Sequence, residues 1–136
     1  MRLWHYKLLP CIPDKMLVSQ WRECIAIKRQ WEKGTLKHRL VSYVLNHSKD
    51  EFIKYVVEVV GELEHRNIKY NKKYLDEIID FCENKTVLGL TPYPLEQNNR
   101  YLKQCLYNLQ EKADRGIITK EEWNKIAEHF CRYIEE

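Results

Sequence analysis

The chain has 136 residues, 44% hydrophobic and 32% charged, which fits one globular domain with its own core and excludes disorder. No stretch approaches the roughly 18 apolar residues of a membrane span, and Met1–Lys7 lacks the uninterrupted apolar run of a secretory signal. The net charge of +3 is uneven: residues 1–47 carry nine Lys/Arg against three Asp/Glu, and residues 48–136 fourteen against seventeen.

Residues 1–12 are predicted to form an extended, aromatic arm, because Pro10 and Pro13 discourage helix around them. A first helix is expected from about Pro13 to Glu32, with Asp14 in its first turn and Gly34 just past its end. Leu17, Val18, Trp21, Cys24, Ile25 and Trp31 form its apolar stripe. A short helix follows near Lys37–Leu45. Ser48-Lys-Asp-Glu51 reads as a capping box opening a helix over Lys49–Arg66. The run Val56-Val57, Val59-Val60 is β-prone, but the flanking Glu/Lys spacing favours helix.

Leu75, Ile78, Ile79 and Cys82 mark a helix over Lys72–Cys82, and Gly89, Pro92 and Pro94 make residues 84–95 a loop. Leu102, Cys105, Leu106 and Leu109 mark the next, over Glu96–Lys112. Thr119-Lys-Glu-Glu122 is a second capping box, opening a last helix with Trp123, Ile126, Ala127, Phe130 and Ile134. The fold class is all-α: a single domain over residues 1–136, of five to six helices and an extended N-terminal arm. The five cysteines are scattered and without a CxxC pair, and the five histidines lack metal-site spacing. Reduced cytoplasmic thiols, mostly in the core, are expected, with no metal site and no cofactor.

On a helical wheel Lys15, Arg22, Arg29 and Lys33 fall together beside the apolar stripe of the first helix, as a basic ridge spaced to meet phosphates. The basic N-terminal third therefore suggests an anionic partner, nucleic acid before membrane surface. Between Lys15 and Trp31 the only acid is Glu23, next to Arg22 at the ridge's edge. A carboxylate there repels phosphate, so it needs either a surface ion pair or a separate use. Trp21 and Trp31 are expected in the core, while Trp4 and Tyr6 fit either core or base stacking.

Met1-Arg2-Leu3, followed by Asp14-x-x-Leu17 and Trp21-Arg22-Glu23, resembles the pyrimidine-dimer DNA glycosylase family, the endonuclease V family. That family carries an Arg beside its N-terminal residue and an aromatic-Arg-Glu motif on its first long helix. The Gly34 helix end, the Phe52 helix and Pro94-x-Glu96 are compatible with it. The resemblance implies an all-α, cofactor-free DNA glycosylase and abasic-site lyase acting on pyrimidine dimers or related damaged bases in double-stranded DNA. The implied nucleophile is the α-amine of Met1, which attacks sugar C1′ and forms an imine before β-elimination breaks the strand. Glu23 would stabilise the developing positive charge and handle protons. Arg2 and Arg22 would hold phosphates, with Lys15, Arg29 and Lys33 extending the track. An α-amine titrates near 7.7–8.0 and lysine near about 10.4, so more of the α-amine is free base at neutral pH.

The chain departs from the family pattern at three places. Residue 2 is Arg rather than a small residue, so Met1 is expected to be retained. Met16 stands where the family has His, and Ala26 where it has a further Arg. A monomer is expected. Two other readings use the same residues: a non-catalytic nucleic-acid-binding helical domain, and a protein-interaction module whose basic third docks an acidic partner.

Overall fold

Pro13 supplies the non-helical entry to α1 (Asp14–Lys33), and Asp14 places a negative charge where the helix dipole favours it. The helix stops at Gly34, whose left-handed backbone (φ 72°) lets the Thr35 N–H reach back to the Gln30 carbonyl at 2.8 Å. The computed structural model describes residues 1–83 and 90–134. Among these it contains five α-helices, three short 3-10 helices and no strand. The α-helices after α1 are α2 (Lys49–His65), α3 (Lys72–Cys82), α4 (Asn99–Asp114) and α5 (Lys120–His129).

The predicted short helix at 37–45 is a 3-10 helix over Ser42–Asn46. Helix α4 starts at Asn99 rather than Glu96, because the Asn98 side chain accepts from the Tyr101 N–H at 2.9 Å and fixes the cap there. The capping box of α5 forms in both directions, at 3.0 and 2.8 Å. That of α2 does not: Ser48 makes no side-chain cap bond. Glu51 instead accepts from the Tyr93 N–H at 3.0 Å and meets His47 Nδ1 at 3.2 Å. The last helix is shorter than expected, giving way to a 3-10 turn at Cys131–Tyr133. Residues 84–89 of the expected loop lie outside the described residues.

Helix α1 packs on α2 and α3, α2 on α3, and α4 on α5. The valine run of α2 is helical because Phe52, Ile53, Val56, Val59, Val60 and Leu63 recur at the 3–4-residue spacing that buries one face. Trp21 is buried edge-on to Tyr70, and Trp31 packs edge-on to Phe52 and Phe81. Four of the cysteines are buried and Cys131 is exposed.

The arm belongs to the core. Leu3, Trp4, His5, Leu8, Leu9, Cys11 and Ile12 are all buried, with a 3-10 turn at Tyr6–Leu8. Its backbone has no strand to pair with, so side chains satisfy it instead. The Trp4 N–H donates to Gln20 Oε1 at 2.8 Å and the Tyr6 N–H to Gln97 Oε1 at 2.9 Å. The Tyr101 hydroxyl donates to the Leu3 carbonyl at 2.6 Å, and the Tyr55 hydroxyl to the Trp4 carbonyl at 2.5 Å.

Candidate functional site

Gln20 is the hub at the start of the chain. Wholly buried on the apolar side of α1, it uses its Oε1 for the Trp4 N–H and the Tyr55 hydroxyl. Its Nε2 donates to the Arg2 carbonyl and to Glu23 Oε2, at 2.9 Å each. The Arg2 carbonyl and the Glu23 carboxylate therefore lie within twice that distance of one another. Glu23 does not sit on the basic ridge. It faces a cavity of about 210 Å³ lined by Trp4, Met16, Ser19, Gln20, Lys112 and Ile117. Successive helix residues diverge by about 100°, so Arg22 and Glu23 serve different sides of α1.

The Met1 amine makes no ion pair with Glu23; its contact is His38 Nε2, at 3.4 Å. The structure thus ties Glu23 to the backbone of residue 2 through one amide, and the amine itself to an imidazole. Arg2 is half-buried, its guanidinium over the rings of Trp4 (5.5 Å) and Tyr101 (6.0 Å). Burial raises the Tyr101 and Tyr43 hydroxyls, Tyr43 to about 12, so both stay protonated at neutral pH.

The ridge residues Lys15, Arg22, Arg29 and Lys33 are exposed, as the wheel predicts. Lys15 Nζ donates to the Ile117 carbonyl at 2.6 Å, and Arg29 lies over the Tyr74 ring at 5.2 Å. Lys28, on the same helix, is buried and paired with Glu32 at 3.1 Å, so it is not part of the ridge. Trp4 is buried, with the Arg2 guanidinium over its ring, and it lines the cavity that Glu23 faces. Tyr6 is half-buried and stacks on His5 at 4.7 Å.

Gln20, His38, Tyr55, Tyr101 and Lys112 carry the site's geometry without appearing among the residues expected from sequence. Gln20 had a readable signal, a polar side chain inside an apolar stripe. The others arrive from distant elements. Among the described residues, no group of three His, Cys, Asp or Glu is placed to hold a metal ion. No helix among them is long and apolar enough to cross a membrane.

The fold and site define an all-α protein that fastens its own amino end against a carboxylate-bearing helix with an exposed basic ridge. A family model described as pyrimidine dimer DNA glycosylase matches residues 1–77, more than half of the chain, and the chain belongs to that family. The match takes in the arm, α1, α2 and the start of α3. Comparisons with curated proteins and with solved structures give no match.

Proposed function

We propose that the protein is a DNA glycosylase with abasic-site lyase activity, acting on pyrimidine dimers or related damaged bases in duplex DNA. The nucleophile is the Met1 α-amine and the assisting carboxylate is Glu23. The supporting observation is the Gln20 amide, which bonds the Arg2 carbonyl and Glu23 together and so draws the start of the chain to the sole acid between Lys15 and Trp31.

In this reading the amine lone pair forms a bond to C1′ while the C1′–N glycosidic bond breaks, and the base leaves with the electron pair and takes up a proton. Loss of one amine proton and opening of the C1′–O4′ bond, with a proton delivered to O4′, leave a protonated imine. Removal of a C2′ proton then expels the 3′ phosphate by β-elimination. Glu23 stabilises positive charge at C1′ and the imine, and exchanges these protons. Met16 gives the Glu23 cavity an apolar wall where the family carries an imidazole, so the carboxylate serves without that partner. Arg2, Arg22, Lys15, Arg29 and Lys33 hold phosphates on either side of the lesion.

Borohydride reduction in the presence of abasic or UV-irradiated duplex tests the reading. A covalent protein–DNA complex is expected, and acetylation of the N-terminus should abolish it. Trapping that survives acetylation would move the nucleophile to a lysine. Salt-sensitive binding without any trapping would leave a nucleic-acid-binding domain that uses the ridge alone.

A further inference from the structure

We propose that His47 is a pH-sensitive latch for the N-terminal arm: protonated, it holds the 93–97 turn whose Gln97 fastens Tyr6, and on losing its proton it loosens that fastening. Arm seating is a property of the protein alone and is read without DNA.

The ring of His47 lies between two carboxylates. Nε2 is 2.9 Å from Glu96 Oε2, and Nδ1 is 3.2 Å from Glu51 Oε2. The side chains of His47, Glu96 and Glu51 are only 18%, 30% and 16% exposed, so water replaces these contacts poorly. An ionised carboxylate only accepts, so both ring nitrogens must carry protons for both contacts to be favourable. The neutral ring keeps one proton. It holds Glu96 only by turning an Nδ1 lone pair on Glu51, or meets Glu51 only by turning an Nε2 lone pair on Glu96. Either way the two carboxylates lose the positive charge between them. Glu96 has no substitute partner, because its Oε1 is buried and unbonded among the described residues.

Both carboxylates anchor the turn. Glu51 Oε1 accepts from the Tyr93 N–H at 3.0 Å, and Glu96 immediately precedes Gln97. The Gln97 N–H closes the turn onto the Tyr93 carbonyl at 2.7 Å. The buried Gln97 side chain then accepts from the Tyr6 N–H at 2.9 Å and donates to the Tyr43 hydroxyl at 3.3 Å. Through Glu96 and Gln97, a proton on His47 bears on the backbone of the arm.

The hydrogen bond to Glu96 raises His47 above its ordinary value; burial opposes the rise, and the charges of Glu96 and Glu51 add to it. The latch is therefore closed below that raised value and opens as the pH climbs through it. The other groups facing this cluster come from several elements. Tyr93 meets the His47 ring at 5.6 Å, and burial keeps Tyr93 and Tyr43 protonated, Tyr43 up to about 12. Lys49 and Asp50 open α2 beside Glu51, with the Lys49 ammonium over the Phe81 ring at 4.0 Å. Arg39 and Arg100 line the cleft that Glu96 borders. On the arm, burial lowers His5 to about 4, below the range in which His47 switches. Replacing His47 separates its share from theirs.

The test is amide hydrogen exchange of Tyr6, read by NMR between about pH 5.5 and 9 and corrected for the intrinsic pH dependence of exchange. The Trp4 amide, held by Gln20 rather than by the turn, is the internal reference. Protection of Tyr6 relative to Trp4 is expected to fall roughly tenfold across the range, the scale of one charged hydrogen bond. Its midpoint should match the titration of the His47 ring followed through its C–H resonances. His47→Gln should abolish the step and leave Tyr6 at the parent's high-pH level throughout. Glu96→Gln, whose amide can accept from the charged ring or donate to the neutral one, should shrink the step while keeping the fold. A ratio that stays flat in the parent overturns the proposal. So does a step that survives in His47→Gln, which would belong to another group. Equal loss at Tyr6 and Trp4 also overturns it, because that is overall destabilisation rather than release of the arm at Tyr6.

Discussion

The Gln20 side-chain amide donates to Glu23 Oε2 at 2.9 Å from one turn earlier on the same helix. The same nitrogen also holds the Arg2 carbonyl, and the other end of the amide holds the Trp4 N–H and the Tyr55 hydroxyl. Gln20→Leu keeps the volume and removes every one of these bonds, leaving buried polar groups without partners. A loss of about 3 kcal/mol is expected in urea unfolding. The N-terminal residues should also become more susceptible to proteolysis than the helices.

Glu23→Gln changes charge but hardly changes shape. A glutamine there can still accept from Gln20 through its own oxygen, so the arm should stay seated and melting should be little altered. Strand cleavage of abasic duplex is expected to fall roughly 100-fold or more, the usual scale of a lost proton-handling group. DNA binding measured by fluorescence anisotropy should persist.

Exposed and buried cations of α1 should separate by their salt dependence. Arg22→Ala and Arg29→Ala are each expected to lower the slope of log affinity against log salt by about 0.9, the contribution of one phosphate contact. Lys28→Ala should leave that slope unchanged, because Lys28 is buried and committed to Glu32. Equal slopes for all three variants would remove the ridge as the phosphate-binding element.

Two histidines set opposite pH dependences. Burial pushes His5 down from its ordinary value of 6.5 to about 4, against a hydrogen bond that its ring donates to the Gln97 backbone and with the Lys7 charge assisting. The unfolded chain binds that proton first, so stability is full above 6.5 and falls by about 3 kcal/mol as the pH drops to 4. His47 is raised, chiefly by its hydrogen bond to Glu96. Its contribution is therefore present below the ordinary histidine value and is lost as the pH rises through the folded one. Urea midpoints across this range should show the acid loss removed in His5→Asn. In His47→Gln the decline on the alkaline side should be the part that disappears.

The helices were legible because their signals are local: the Gly34 stop, the Thr119–Glu122 box and the 3–4-residue apolar spacing all act within a turn or two. The Ser48–Glu51 box carried the same local signal, but the Glu51 carboxylate is claimed by Tyr93, 42 residues away. The arm's prolines correctly predicted a non-helical backbone, while its burial depends on Gln20, Tyr55, Gln97 and Tyr101, which no local pattern connects to it. At the site, Arg2 and Glu23 were read from the motif at the start of the chain. Glu23's actual surroundings were not, because Lys112 and Ile117 reach the cavity from the far end of the sequence.

The hydroxyl that fastens Leu3 belongs to Tyr101, 98 residues further along. During synthesis the Leu3 carbonyl is thus among the last groups of the arm to gain its partner, since that anchor lies on α4. Closing so long a loop is entropically costly and slow. Arg2 and Trp4 have partners in Gln20 and Tyr55 that are made far earlier, so a chain truncated before α4 would keep those ties and lack only the one at Leu3.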